Sequence, residues 1–408
     1  MGFPSDLILP QQGHAVDAAL SFASDFFRRH HDPRPAKGTT MCTQLLPPVT
    51  RQTPAIVALL LLLVTPFVAS SQENQSAAIR DYNVAAALQN AGLYPRAAER
   101  WSDFLKKHPK DTRLDRATYY LGICQLHTKK YPQGAATFQG LISKYPKFPN
   151  LDGAYYNIGM CAYQLAVTSK NPADYQKAII SFQAMVTKYP KSAYAPRALY
   201  FQAESHYVSK QTKESVLAYQ RLVSTYPASP LLPDAIYALG TTQQELELHA
   251  DAEATFLAFL AKKDLAAHRL FAEVNLRLGL SQFSQKKFAE ADKQLAVVIT
   301  LKDFPLADLA YLRQGQCRIE LGNYDQAIPL LTKFIADFPK STHRGAATLA
   351  LGRSYYQLDK LDDARRVLEP LAKLKVAESP EAAYWLGRGL IKQKKPTEAF
   401  TLIDAIAK

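Results

Sequence analysis

The sequence predicts an all-α solenoid of about nine helix-turn-helix units, and three periodic features predict it. A small residue recurs as Ala85, Gly122, Gly159, Ala203, Gly240, Gly279, Gly315, Gly352 and Gly387, at gaps of 37, 37, 44, 37, 39, 36, 37 and 35 residues. Twelve residues beyond most of these stands a second small residue (Ala97, Gly134, Ser215, Ala252, Ala291, Ala327, Ala364, Ala399), and sixteen beyond stands a large one (Trp101, Phe138, Tyr219, Phe256, Leu295, Leu331, Leu368, Ile403). Twenty-four beyond comes Pro109, Pro146, Pro227 or Pro339. Self-similarity at this period marks one supersecondary unit repeated. A unit this short cannot bury its own apolar faces and must stack on its neighbours, so such chains work by surface rather than by an enclosed pocket.

Residues 1–40 read as a leader outside the fold, either an artefact of start-site assignment or a disordered extension, because Met41 opens a segment of ordinary signal length. Arg28–Arg29–His30–His31 lies too far from the next apolar stretch for a twin-arginine signal, and two adjacent histidines alone do not make a metal site. Residues 41–71 read as a signal peptide. Arg51 precedes the uncharged run Ala55–Val64, and Ala69–Ser70–Ser71 offers a small-residue cleavage site, with cleavage expected after Ser71. The alternative is an uncleaved membrane anchor over 55–69. That apolar core is short of the roughly 20 residues a spanning helix needs, and it contains Pro66.

The solenoid is expected over 72–408, with units near 77–109, 115–146, 152–190, 194–227, 232–264, 270–305, 308–339, 345–376 and 381–408. The third unit fits the rule once seven extra residues within Leu165–Tyr175 are set aside, giving Ala178, Phe182 and Pro190. Ser192 is placed to cap a helix carrying Ala198, Leu199, Ala203 and Tyr207 at three- and four-residue steps. Gln211–Thr212–Lys213 forms a polar turn, and a second helix carries Val216, Leu217, Tyr219, Leu222 and Val223 until Tyr226–Pro227 stops it. Ser229–Pro230 and Ser379–Pro380 read as a cap followed by proline at the first helical position. In the last unit, Phe400, Leu402, Ile403 and Ile406 are expected to give the eighth unit apolar cover.

These offsets resemble the tetratricopeptide repeat, from about Ala77 to Lys408. The resemblance implies a right-handed superhelix of helical hairpins with a concave face lined by the first helices. The pattern departs in places. The proline is absent from the fifth and eighth units, Phe304–Pro305 falls two residues late in the sixth, and Tyr155 or Leu199 replaces the usual early tryptophan. The compact junctions Tyr189–Pro190–Lys191–Ser192, Tyr226–Pro227–Ala228–Ser229 and Phe338–Pro339–Lys340–Ser341 are similar to repeats of two bacterial envelope proteins. These are the periplasmic Tol-Pal-associated factor and the outer-membrane assembly lipoprotein. No cysteine stands directly after the apolar region, and Cys42 lies before it, so the lipidation site of that lipoprotein is not expected here.

Composition is that of an ordinary globular chain, 48% hydrophobic and 21% charged. After residue 71 there remain 44 basic and 32 acidic side chains, about +12. Lysine pairs such as Lys106–Lys107, Lys129–Lys130, Lys262–Lys263, Lys286–Lys287 and Lys394–Lys395 fall near expected helix ends, where they answer the helix dipole. The excess also suits an anionic partner such as a cell-wall polymer or an acidic protein patch. Nucleic acid is not expected in an exported protein. Cys124, Cys161 and Cys317 each follow the small residue by two and fill a small-residue slot, so buried free thiols are expected. The histidines are scattered, and no HExxH, phosphate loop, nucleophile elbow or paired CxxC is present. No catalytic residue, metal site or cofactor is expected.

Three residues before the small position stand Tyr82, Tyr119, Tyr156, Tyr200, Tyr237, Leu276, Leu312, Leu349 and Tyr384. The resemblance places this offset on the concave face. It places there also the offsets one after (Glu204, Thr241, Gln316, Arg353, Arg388) and four after (Tyr163, Tyr207, Phe283, Tyr356). Tyr119, Tyr156, Tyr163, Tyr200, Tyr207, Tyr237, Arg353, Tyr356 and Arg388 are therefore the candidate partner-binding residues. Rings supply contact area at low entropy cost and arginines grip carboxylates, which suits an extended peptide, with the stretch from Tyr119 to Tyr237 as the main ligand surface. The competing expectation is that the tyrosines stack between neighbouring first helices. The function expected is a non-enzymatic, exported scaffold binding a protein or peptide of the bacterial envelope. The alternatives are a cell-wall or carbohydrate-binding module, or a cytoplasmic adaptor if 55–69 is no export signal.

Overall fold

The computed structural model describes residues 65–301 and 303–407. The leader expected at 1–40 and most of the signal segment 41–71 lie outside them. Among the described residues the chain folds into nine consecutive helical hairpins. They are α1 (Thr65–Asn90) with α2 (Tyr94–Lys107), α3 (Leu114–His127) with α4 (Tyr131–Lys144), and α5 (Leu151–Ser169) with α6 (Pro172–Lys188). Then follow α7 (Ala195–Val208) with α8 (Thr212–Thr225), α9 (Leu232–Glu245) with α10 (His249–Leu260), and α11 (Phe271–Ser284) with α12 (Phe288–Ile299). The last are α13 (Ala307–Glu320) with α14 (Tyr324–Asp337), α15 (Arg344–Gln357) with α16 (Leu361–Ala372), and α17 (Ser379–Lys392) with α18 (Pro396–Ala407). The one further element is a 3-10 turn, Lys263–Leu265, and among the described residues there is no strand. The fold is the all-α repeat architecture expected. The chain divides into two compact units, Met1–Ser215 and Val216–Lys408, the division falling inside α8.

The spacing of small and large residues has a direct steric cause. A methyl group added at Gly122 would lie 2.7 Å from the Phe138 ring, and at Gly279 or Gly315 it would lie 2.8 and 2.7 Å from Leu295 and Leu331. At Gly240 and Gly352 it would overlap Phe256 and Leu368 outright. In the lengthened third hairpin, Gly159 meets Phe182 in the same way at 2.5 Å. Each pair joins the first helix of a hairpin to its second, and all these large side chains are fully buried. Between hairpins the core continues: Ala85, Ala97, Trp101, Phe104, Ala117 and Cys124 form one cluster across α1–α3. Leu312, Leu331, Phe334 and Ala347 form another across α13–α15.

The corner of every hairpin is a left-handed residue. It is Gly92 and Gly322 in two of them, and Lys129, Lys170, Lys210, Glu247, Lys286, Asp359 and Lys394 in the others. In eight of the nine the next N–H reaches back five residues to the first helix, as Lys130 N to Gln125 O (2.8 Å) and Lys287 N to Gln282 O (2.9 Å), closing a Schellman motif. The extra residues of the third unit lengthen both helices rather than loop out, so α5 has 19 residues and α6 has 17 against 14 in most others. Asn171 caps α6 by accepting from Ala173 N–H at 3.0 Å.

Two details differ from the sequence reading. Ser192 and Ser229 do not cap helices: α7 begins at Ala195 and α9 at Leu232. Ser192 Oγ instead accepts from the Tyr194 N–H (3.0 Å) and donates to Asp152 Oδ2 (2.6 Å). Ser341 does the same with His343 (3.1 Å) and Asp308 (2.6 Å), so this serine ties the start of one first helix to the start of the next. Ser379 does not cap either: it is the first residue of α17 with Pro380 second, and its Oγ donates to the Leu371 carbonyl (3.0 Å). In the last hairpin Leu402 packs inward and Ile403 meets Gly387, but Phe400 is 75% exposed. Phe400 directly follows the inward-facing Ala399, so the helical turn carries it off the buried face. The Ile406 side chain lies outside the described set.

Two measurements check this account. Gly352→Ala should lower the urea midpoint, costing about 1–3 kcal/mol for overpacking. Gly140→Ala, where nothing stands within 4 Å, should be neutral or stabilising by about 0.5–1 kcal/mol. His127 stacks on Tyr94 (4.0 Å, 4° between planes), and burial holds its imidazole down at about 4. The unfolded chain therefore binds the extra proton first, and stability should fall as pH drops from about 6.5 toward 4. His127→Phe should flatten that part of the pH–stability curve.

Candidate partner-binding face

In the first unit the tyrosine row is built into the core. Tyr156 and Tyr163 are each 1% exposed, Tyr200 is 6% and Tyr119 is 9%. Tyr156 stacks on Tyr194 (5.1 Å, 21°), and Tyr163 packs against Phe201 (5.1 Å) and Tyr175 (6.0 Å). Tyr119 packs on Phe138 (5.7 Å) and Phe148 (5.4 Å), and its hydroxyl accepts from Asn157 Nδ2 at 3.3 Å. Burial pushes the phenols of Tyr119, Tyr156 and Tyr163 well above the usual tyrosine range. The rings whose area was expected to face a ligand are thus engaged between helices, while Tyr207 is half-buried near the end of α7.

In the second unit the first helices carry arginines set against rings and carboxylates, most of them partly buried and Arg388 exposed. Tyr237 donates to Glu273 Oε1, and Arg277 lies 3.7 Å from that carboxylate. Arg313 sits over the Phe283 ring (5.2 Å) and donates to Gln316 Oε1 (3.0 Å). Arg353 lies over Trp385 (5.3 Å), 3.7 Å from Glu381 Oε1. Arg388 is exposed and rests against three rings at once, Tyr356 (5.4 Å), Tyr384 (5.6 Å) and Trp385 (5.1 Å). Tyr384 is 51% exposed. The predicted Arg353, Tyr356 and Arg388 are therefore brought together on α15 and α17, and Tyr237 stands on α9 of the same unit. Desolvation holds the Arg313 guanidinium below its usual value, and neither Arg313 nor Arg388 has a carboxylate within ion-pair distance among the described residues.

Three models of tetratricopeptide repeats match residues 197–229, 318–378 and 349–408. These are tetratricopeptide repeats. A model of the YfiO family, described as outer membrane lipoprotein, matches residues 74–201. No curated protein sequence matches the chain. Among solved structures, the apo form of RapI shares 12% identity at a TM-score of 0.46, covering 81% of this chain and 97% of its own. A tetratricopeptide repeat protein from Parabacteroides merdae shares 13% at 0.39, covering 68% and 98%. The C-terminal part of a repeat protein from Cytophaga hutchinsonii shares 16% at 0.41, covering 70% and 99%. At these scores the likenesses carry no argument of their own.

The tetratricopeptide offsets used in the sequence reading passed over Arg277, Arg313 and Trp385. All three stand two residues before the small position of their repeats, at Gly279, Gly315 and Gly387. Trp385 is one of only two tryptophans in the chain, and the other, Trp101, is fully buried. Rarity together with the arginines at the same offset was the available signal. The buried cysteines, Cys124, Cys161 and Cys317, are free thiols pushed up to about 12 by burial, and they play no part in this face.

Trp385 makes the face observable. In a Trp101→Phe background, adding poly-glutamate should change Trp385 emission in a saturable, salt-sensitive way. Arg353→Glu with Arg388→Glu should weaken the titration about tenfold or more, as expected when a charge-assisted contact is reversed.

Proposed function

We propose that this protein is an exported scaffold of the bacterial envelope that holds an extended acidic segment of a protein partner along the first helices of its second unit. Tetratricopeptide repeats make surfaces for protein partners, and that fold is generally a non-enzymatic scaffold. The observation that carries the finer reading is the arginine–aromatic face. Arg277, Arg313, Arg353 and Arg388 stand on four successive first helices, and only two of them face a carboxylate, each at 3.7 Å. A guanidinium set against a ring keeps its positive charge and its planar fork of donors, the chemistry that recognises a carboxylate.

Export is supported by the charge-free stretch ahead of Gln72 and by the match of 74–201 to an outer membrane lipoprotein family. Among the described residues no helix is long and apolar enough to cross a membrane. Helix α1 runs through the expected cleavage point, from Thr65 to Asn90, and cleavage after Ser71 keeps its packing residues Ala78, Tyr82 and Ala85. Expressed with residues 1–71 in a Gram-negative host, the protein should appear outside the cytoplasm with Gln72 as its first residue. The exported protein should capture envelope proteins and lose them on Arg353→Glu/Arg388→Glu. A cytoplasmic protein beginning at Met1 or Met41, or sedimentation with purified peptidoglycan that ignores both substitutions, would replace this reading.

A further inference from the structure

We propose that the groove between the two junctions flanking the third hairpin is a second recognition site, taking a short acidic peptide strand that carries aliphatic side chains. The groove holds about 510 Å³ and lies wholly in the first unit, sharing no residue with the arginine face. Its apolar wall is made by Phe148, Pro149, Leu151 and Pro190, and Lys188 and Lys191 stand on its rim. The one acid in the lining, Asp152, is already engaged: Oδ2 accepts from Ser192 Oγ (2.6 Å) and Oδ1 from the Gly153 N–H (2.9 Å). Lys188 donates to the Tyr155 hydroxyl (2.8 Å) and lies over the Tyr155 ring (4.7 Å). Among the described residues neither lysine has a carboxylate within ion-pair distance. The groove therefore pairs an apolar wall with uncompensated positive charge.

The chain contains its own control. In the seventh repeat Phe304–Pro305, Asp308, Tyr311 and Phe338–Pro339–Lys340–Ser341 stand where Phe148–Pro149, Asp152, Tyr155 and Tyr189–Pro190–Lys191–Ser192 stand in the third. The serine–aspartate bond recurs at 2.6 Å, and the tilted ring pair recurs at 5.8 Å for Tyr311–Phe338 against 5.5 Å for Tyr155–Tyr189. Yet the position of Lys188 is taken by Asp337, which pairs with Lys333 at 2.5 Å. The junction forms with either sign of charge, so the architecture does not require a lysine at 188. Its charge is free to select a ligand. Tyr155 and Tyr189 pack on each other at a tilt, and Lys188 lies over both (4.7 and 5.9 Å from the ring centres), so a cation occupies the face that a sugar would stack on. Prolines and leucine suit aliphatic side chains, and the two lysines suit carboxylates, so a peptide is the ligand class that fits both halves.

The test uses the full chain bearing Arg353→Glu and Arg388→Glu, which weakens the arginine face, and reads this groove from the further loss on substituting its two lysines, so the result stands whether or not the arginine face binds a partner. The probe is a fluorescein-labelled synthetic peptide alternating glutamate with leucine and proline, followed by anisotropy. Binding should be saturable and weaken with salt. Lys188→Asp with Lys191→Asp should weaken it about tenfold, and the glutamine-for-glutamate peptide should lose about as much. Lys340→Asp in the seventh repeat should change nothing. Both rim lysines are exposed, so circular dichroism should be unaltered, and Lys188→Gln/Lys191→Gln gives a milder neutralisation expected to fall between. Unchanged affinity in the charge-reversed variants overturns the proposal. So does equal affinity for the glutamine peptide, or capture of purified glycan strands that depends on the same two lysines.

Discussion

The contact on which the structure depends is the one made by an absent methyl group. Where the two helices of a hairpin cross, a glycine on the first lies under a ring or a leucine on the second, closer than any side-chain carbon could sit. That closeness fixes the interhelical distance, and the distance fixes which neighbouring positions can meet the next hairpin. The recurrence of the same steric arrangement at Gly122, Gly240, Gly279, Gly315 and Gly352 makes the units stack by one rule rather than by separate solutions. Alanine serves in the first and fourth units, at Ala85 and Ala203, both fully buried, so the rule is smallness rather than glycine as such.

From that rule follows a division between what was legible in the sequence and what was not. The period, the hairpins and the helix-ending prolines could be read because each reflects contacts within one unit. Whether an aromatic at the same register faces solvent could not. Tyr156 and Tyr384 stand at the same offset from their glycines, yet one is 1% exposed and the other 51%. Tyr156 is covered by Tyr194, which belongs to the following junction, and Tyr119 is covered by Phe148 in the same way. Exposure is set by the residue some 29–38 positions later, a pairing that spacing alone does not reveal. In the first unit the tyrosines pack on second helices and junctions, as Tyr119 on Phe138 and Phe148, whereas Tyr163 packs against a ring of the neighbouring first helix, Phe201. The offset two residues before the glycine, which carries Arg277, Arg313 and Trp385, escaped because attention to three-residue steps passes over it.

The junctions show how a repeat varies chemistry without disturbing shape. The serine that looked like a helix cap is spent instead on an aspartate of the preceding first helix, and this bond keeps its length between the third and seventh repeats. Around that fixed bond the charge changes sign, Lys188 in one and Asp337 in the other. A solenoid can diversify in this way because each position answers only to its nearest neighbours. Substitution at one junction need not be compensated at another.

The net charge of +13 is divided by residue type rather than spread evenly. Along the nine first helices lysine occurs once, as Lys392 at the last position of α17, whereas arginine occurs nine times. Lysine instead supplies five of the nine left-handed corners, where its flexible stem stays in water and its charge sits at a helix C-terminus. The first helices offer rings and little open water, conditions that suit a planar, weakly hydrated cation better than an ammonium. Arg313 over Phe283 and Arg388 among Tyr356, Tyr384 and Trp385 are therefore positioned by rings rather than by ion pairs among the described residues. Their edge donors turn to neutral acceptors, Arg313 to Gln316 Oε1 (3.0 Å) and Arg388 to the Tyr384 hydroxyl (3.4 Å), so the positive charge is not cancelled. Side chains so ordered have less conformational freedom left to lose when a partner binds.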